Sequence, residues 1–213
     1  MADKDINYLK ALYSVAEDLN TERAPEGVLQ SIPEDVTEAM GVKGCSLILL
    51  SSDKKTLLHT ATYGLSEEYL GKGPLLAQKS ICDALLGKVV TILDSKNDSR
   101  VQFPELKESE GIASILSVPM KLRGEIIGVV RVYTSEQHEF NEDEIYFVQA
   151  VANLGAIALE NIRLYETVKK DYDELRQEML EWRTSMAIAG TPRSMWFMRH
   201  SRDQHLPDGS GKK

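Results

Sequence analysis

Cysteine is nearly missing from this chain: Cys45 and Cys82 are the two among 213 residues. That count excludes a disulfide-stapled scaffold and a cysteine-rich zinc site, and each cysteine reads as a small buried hydrophobe. A cytoplasmic location is the expectation that follows. Long apolar runs are missing too. The longest, such as Cys45–Leu50, fall far short of the roughly 20 residues of a membrane-spanning helix, so no bilayer crossing is expected. The N-terminus, M-A-D-K-D-I-N-Y, has no basic stretch leading into an apolar core, so it reads as no secretory signal. Clustered positive charge is the third absence. The formal net charge is −8, and residues 190–213 carry five basic against two acidic residues, which leaves −11 on the rest. Such an acidic body excludes general nucleic-acid binding, which needs grouped Lys and Arg against phosphate. No Ser-His-Asp order, phosphate-cradling loop or paired acid–base motif stands out.

What is present suits one ordinary soluble domain with extensions, at 42% hydrophobic and 27% charged residues. Its centre is Gly111–Tyr133, G-I-A-S-I-L-S-V-P-M-K-L-R-G-E-I-I-G-V-V-R-V-Y. Two β-branched runs joined by Lys121-Leu122-Arg123-Gly124 read as an antiparallel hairpin. In the second run Ile126, Gly128, Val130 and Val132 share one face, and Ile127, Val129, Arg131 and Tyr133 the other. The first face asks for a dry partner, and the second, with its arginine and tyrosine, for a less dry one. Pro119 belongs near a strand end or with its nitrogen facing no partner. Gly128, costly inside a strand, suggests a helix passing close over it.

Upstream, Ile6, Leu9, Tyr13, Ala16 and Leu19 form a helical stripe. A second helix follows Pro25 and ends at Gly41; Pro33 either kinks it or marks its true start. Lys43–Ser51 and Thr56–Tyr63 form another hairpin. Gly64–Pro74 is a loop, Leu75–Leu86 a short helix, Val89–Leu93 a strand, and Pro104–Glu110 a helical turn or two. Asn141 caps a long closing helix whose first turn is acidic. Its apolar positions run at 3–4 spacing from Val148 to Met186, with two steps of three in a row at Ile162, Tyr165 and Val168, a break of phase. The distal half, about Glu166–Met186, needs a partner for its stripe, and a second copy of the same helix is the simplest. Residues 190–213 have no period and read as disordered.

Three stretches resemble the GAF family, the small-molecule sensor modules of signalling proteins. They are Gly87–Phe103, G-K-V-V-T-I-L-D followed by N-D-S-R-V-Q-F; Ile112–Tyr133, with Pro119 and Gly128 at positions usually so occupied; and Phe140–Glu166. The resemblance covers about residues 5–166. It implies an α+β fold with a central, mainly antiparallel sheet of five to six strands. Terminal helices lie on one face, ligand-side helices and loops from 64–110 on the other, and a long helix closes the chain. The implied organisation is a sensor domain over 1–165, a signalling coiled-coil helix over 166–189 and a tail over 190–213. Such helices usually lead into an output module, so the resemblance implies either a fragment or a small protein that acts by association with a separate signalling output protein.

Members of the family bind cyclic nucleotides, bilins, haem, iron or small organic molecules. The cyclic-nucleotide subgroup carries an Asn-Lys pair that this chain lacks. Bilin attachment favours a cysteine followed by histidine, whereas here Ser46 follows Cys45 and Asp83 follows Cys82. His59, His138, His200 and His205 show no pattern of an axial haem ligand. A branch that reduces free methionine sulfoxide needs an attacking and a resolving thiol, which requires Cys45 to point to the pocket side. No cofactor is therefore named. The candidate pocket is Ile81, Leu85, Phe103, Arg131 and Tyr133. Arg131 there either clamps a carboxylate or phosphate or pairs with a local acid, Asp83 or Glu105. The expected function is a non-enzymatic sensory and dimerisation module, paired through its N- and C-terminal helices. An interaction scaffold with a degenerate pocket, or a thiol reductase, is the alternative.

Overall fold

A computed structural model describes residues 2–19, 25–51, 53–71, 73, 75–76 and 82–189. Two compact units divide the chain, Met1–Arg163 and Leu164–Lys213. In the first, helices α1 (Ala2–Leu19) and α2 (Pro25–Met40) precede strands β1 (Gly44–Leu50) and β2 (Thr56–Tyr63). Then come α3 (Glu67–Leu70), β3 (Leu75–Leu76), α4 (Cys82–Leu85), β4 (Val90–Ile92) and α5 (Pro104–Ser109). Strands β5 (Ser114–Leu122) and β6 (Glu125–Thr134) form the central hairpin, and α6 (Glu142–Ala189) closes the fold. The strands make one antiparallel sheet in the order β3-β2-β1-β6-β5-β4.

Local chemistry explains the hairpin and the cap. Arg123 and Gly124, between β5 and β6, have φ of 51° and 88°, the pair of positive values a two-residue type I′ turn requires. The Arg123 guanidinium lies 2.8 Å from Glu160 of α6. Pro119 sits beyond Ser117, the last β5 residue paired along β4 towards that turn, so no β4 ladder bond is lost to it. At the start of α6 the Glu144 N–H donates to Asn141 Oδ1 at 3.0 Å, while the Asn141 N–H donates back to Glu144 Oε2 at 3.1 Å. This is a reciprocal capping box. Pro33 lies inside an unbroken α2, whose start is therefore Pro25.

Strand alternation splits the apolar residues into two cores. Leu47, Leu116, Val118, Val130 and Val132 pack under α1, α2 and the first part of α6, with Val15, Ile32, Val36, Val148 and Val151. Tyr8 stacks on Phe147 at 4.4 Å between ring centres. By length and hydropathy alone α6 passes for a membrane span, but most apolar residues of its first half, Phe147, Val148, Val151 and Leu159 among them, are spent on this core. The opposite face carries Ile48, Ile115, Val129 and Tyr133 against Tyr69, Ala84, Val90 and Ile112 from the 64–112 segment.

Three expectations need correction. On α1 the buried stripe is Tyr8, Ala11 and Val15, whereas Ile6, Leu9 and Tyr13 are exposed. Both stripes have helical spacing, and only packing chooses between them. Leu75–Leu76 is a strand paired to β2, because Leu57 and Thr56 offer it an edge; the short helix is confined to Cys82–Leu85 among the described residues. Gly128 makes room for a strand, not a helix. A Cβ there would lie 2.4 Å from the Ile48 carbonyl oxygen of β1. The glycine that lets the helical layer approach is Gly155, whose Cβ position faces Met120, Ile32 and Leu47. Residues 190–213, expected to be disordered, lie outside the described residues.

Candidate ligand site

Three central strands bring a row of polar side chains to the face away from the terminal helices. Ser46 of β1 pairs with Arg131 of β6, and Arg131 with Ser117 of β5. All three are buried, Arg131 to 1% exposure, and the Arg131 Nε–H donates to Ser117 Oγ at 3.1 Å. A charge so deep in an apolar layer is costly unless neighbouring polar groups answer it. One step along β6, Tyr133 pairs with Gly44 and Ile115. Its ring meets Tyr69 of α3 edge to face at 6.1 Å, and Tyr69 in turn meets His59 of β2 at 6.5 Å. Burial, more than any neighbouring charge, pushes both phenols up from their ordinary value, so they are neutral hydrogen-bonding groups. The row is flanked by apolar walls, with Leu70, Leu85, Val101 and Leu106 packed at the margin.

The covering segment is tied down at its ends. Ser66 caps α3, its Oγ accepting from the Tyr69 N–H at 3.1 Å. The Glu110 carboxylate accepts from the Ser66 N–H at 3.1 Å and from the Ser66 hydroxyl, and faces Lys43 Nζ at 3.3 Å. Burial raises the Glu110 carboxyl, but the Ser66 and Lys43 interactions outweigh it and hold it below the usual 4.5. A lowered folded-state value stabilises the fold above the ordinary one and loses that contribution as pH falls through it. Glu110→Gln will therefore cost about 1 kcal/mol at neutral pH, and the gap to the parent will close below pH 4.5. Thermal melts across that range check it. Nearby, Lys107 of α5 is fully buried. Asp98 is held below its usual value first by Arg100 and also by the Lys107 charge.

Of the residues expected to form the site, Arg131 and Tyr133 lie side by side on the same buried face. Leu85 packs half-buried at the margin of that cluster. Phe103 is not brought to it. It stands 41% exposed at the start of α5 with φ 54° and ψ 58°, and that left-handed turn directs the chain into Pro104. Ile81 lies outside the described residues. As for the acids weighed as partners of Arg131, Glu105 is exposed, and Asp83 acts on the charge of Arg100. Ser46, His59, Tyr69 and Ser117 were missed. Alternation alone would have found Ser46, because its neighbour Cys45 takes the other face.

Cys45 is fully buried in the helix-side core opposite Val132, and burial pushes its thiol well above the ordinary value. The orientation a thiol reductase needs at this residue is not the one adopted. A separate solvent-open cleft of about 600 Å³ is lined by Asp94, Asn97, Asp98, Arg100 and His138. Among the described residues no group of three or more His, Cys, Asp or Glu is placed to hold a metal ion.

The geometry has close counterparts. The GAF domain of a phosphoenolpyruvate-protein phosphotransferase from Coxiella burnetii superposes with a TM-score of 0.67 at 23% identity, over 76% of this chain and 98% of that one. Free methionine-R-sulfoxide reductase from Neisseria meningitidis, solved with its substrate, gives 0.62 at 16%, over 74% and 91%. The phycocyanobilin-bound GAF domain of a cyanobacterial phytochrome gives 0.61 at 17%, over 74% and 96%. No curated protein matches the sequence. The GAF domain family model matches residues 22–160, most of the chain, and with this sheet, these two cores and this order of elements the chain belongs to the GAF domain family.

Proposed function

We propose that the chain is a cytoplasmic sensory and dimerisation module of signal transduction, not an enzyme. It takes a small anionic molecule on the Arg131 face and relays occupancy through paired terminal helices. The observation that carries this reading is the buried Ser46–Arg131–Ser117 row. A guanidinium with hydroxyls on either side, walled by apolar groups, is chemistry suited to a carboxylate or phosphate. Two structural neighbours hold small molecules, a bilin in one and a substrate in the other, and a further neighbour is a domain of a sensor histidine kinase protein from Sinorhizobium meliloti. The dimer is favoured by the exposed α1 stripe, with Leu9 at 70% and Tyr13 at 68%, and by exposed Tyr146 and Ile157 on α6.

A thermal-shift panel of carboxylates, nucleoside phosphates and amino acids tests the ligand. A binder at one hundred times its Kd will stabilise the protein by about 2.7 kcal/mol. Arg131→Met will abolish that shift while near-native circular dichroism shows an intact fold. A panel that moves nothing in the parent, or an Arg131→Met variant that still responds to the same anion, sinks the ligand half of the reading. In the first case the chain is an interaction scaffold with a degenerate pocket. That alternative draws on Tyr69 and Tyr133, which already pack edge to face within the cluster.

A further inference from the structure

The distal stretch of α6 carries information that helix pairing alone does not use. From Tyr165 to Trp182 its large apolar residues other than Leu180 fall on a heptad, with Tyr165, Tyr172 and Met179 at the first core position and Val168, Leu175 and Trp182 at the second. All six are exposed. Spacing of this kind, alternating steps of three and four, makes the narrow seam of a coiled coil. The positions that flank such a seam are sorted by sign. On one side stand Lys169, Arg176 and Arg183, all basic; on the other stand Asp171 and Glu178, both acidic. Every one of these five side chains is exposed.

That sorting distinguishes between the two ways a second copy can lie. In a parallel, in-register pair each acidic flank faces the basic flank one position into the next heptad of its partner. Asp171 then meets Arg176 of the second copy, and Glu178 meets Arg183, with the reciprocal contacts doubling both. In an antiparallel pair like flanks face each other. Lys169 or Arg176 is driven against Arg176 or Arg183, and Asp171 or Glu178 against Glu178, whatever the register. Like charges across a seam oppose association, and this alternative suffers them on both sides. We infer that residues 165–182 pair with the same residues of a second copy as a parallel, in-register two-stranded coil, with the flanking charges setting the direction. The inference rests on the homodimer proposed above and adds its polarity. It also gives the relay a direction, since parallel strands deliver both chains' C-terminal ends to the same place.

Two and a half heptads are too short to associate tightly by themselves, so the test uses the full chain. In a Cys82→Ser background, which leaves only fully buried Cys45, Val168→Cys and Leu175→Cys are made separately and oxidised at micromolar concentration. A disulfide needs Cα atoms within about 7 Å. A parallel in-register pair puts residue 168 beside 168 and 175 beside 175, so both variants will cross-link to dimers and the background alone will not. No antiparallel register does this, because aligning 168 with itself sets 175 against 161, about 21 Å from its own copy along the axis. Reversing Arg176 and Arg183 to Glu will weaken association at least tenfold, and adding Asp171→Lys and Glu178→Lys will restore it. If light scattering shows dimers but Val168→Cys fails to cross-link, or the fourfold reversal fails to rescue, the parallel coil is overturned and the dimer stands. If the full chain is a monomer, both fall.

Discussion

Gly128→Ala will destabilise the domain by about 3 kcal/mol or more, although alanine is the smallest change available. The reason is position. Gly128 sits in β6 between Leu49 of β1 and Met120 of β5, in the middle of the sheet. The added methyl would lie 2.4 Å from the Ile48 carbonyl oxygen and 3.2 Å from the Leu49 Cα, both backbone atoms of a strand that is itself pinned between β6 and β2. A flexible side chain could swing away from such a contact; a central strand cannot. Relief requires β1 and β6 to part, which breaks the ladder that also aligns Ser46 with Arg131. The expected fall in Tm is roughly 6–12 °C, at 2–4 °C per kcal/mol for a domain of this size, and any anion response should weaken with it. Gly27→Ala is the matched control. Gly27 lies in α2 with nothing within 4 Å of its Cβ position, so alanine there will be neutral or stabilising by roughly 0.5–1 kcal/mol. Equal melting points for the two variants would show that the β1–β6 approach is not constrained as described.

The same residue shows where sequence reading reaches its limit. That Gly128 needed space was legible, because glycine is costly inside a strand; which neighbour needed the space was not, since β1 and β6 are eighty residues apart in the chain and their register is a tertiary fact. The hairpins, the capping box and the long last helix were legible for the opposite reason, being set by alternation and turn chemistry over a few residues. Helix α1 shows a further kind of ambiguity. It has two apolar stripes, and the larger-looking Ile6–Leu9–Tyr13 set proved to be the exposed one. At the site, alternation along β6 put Arg131 and Tyr133 on one face, but the row they belong to runs across strands. Ser46 and Ser117 join it only through register, and Tyr69 and His59 only through packing. Phe103 misled because a left-handed residue at the start of α5 redirects the chain, and nothing in Q-F-P announces a positive φ. Lys107 was overlooked because lysine is so seldom buried.

Removing residues 164–213 will leave the fold intact and weaken self-association by a factor of about 10²–10⁴. The two halves of that expectation have separate causes. Among the described residues every member of both cores lies within Met1–Arg163, and the last one packed against either is Ile162, so the truncation removes none of them. Its Tm should hold when both proteins are compared as monomers, because pairing itself adds apparent stability to the longer one. Association should differ, because the proposed dimer joins two linked surfaces. One is the exposed α1 and α6 residues of the first unit, Ile6, Leu9, Tyr13, Tyr146 and Ile157; the other is the Tyr165–Trp182 seam. Once either pair has formed, the second closes at a high effective concentration, so losing one surface costs far more than its own area suggests. Adding Leu9→Glu and Tyr13→Glu to the truncated domain should then abolish what pairing remains, since both side chains point to solvent in the single chain and their replacement disturbs no core. Analytical ultracentrifugation of the three proteins distinguishes the possibilities. A truncated domain that dimerises as tightly as the full chain would assign all pairing to the first unit, and unchanged pairing after the α1 substitutions would remove that helix from the interface.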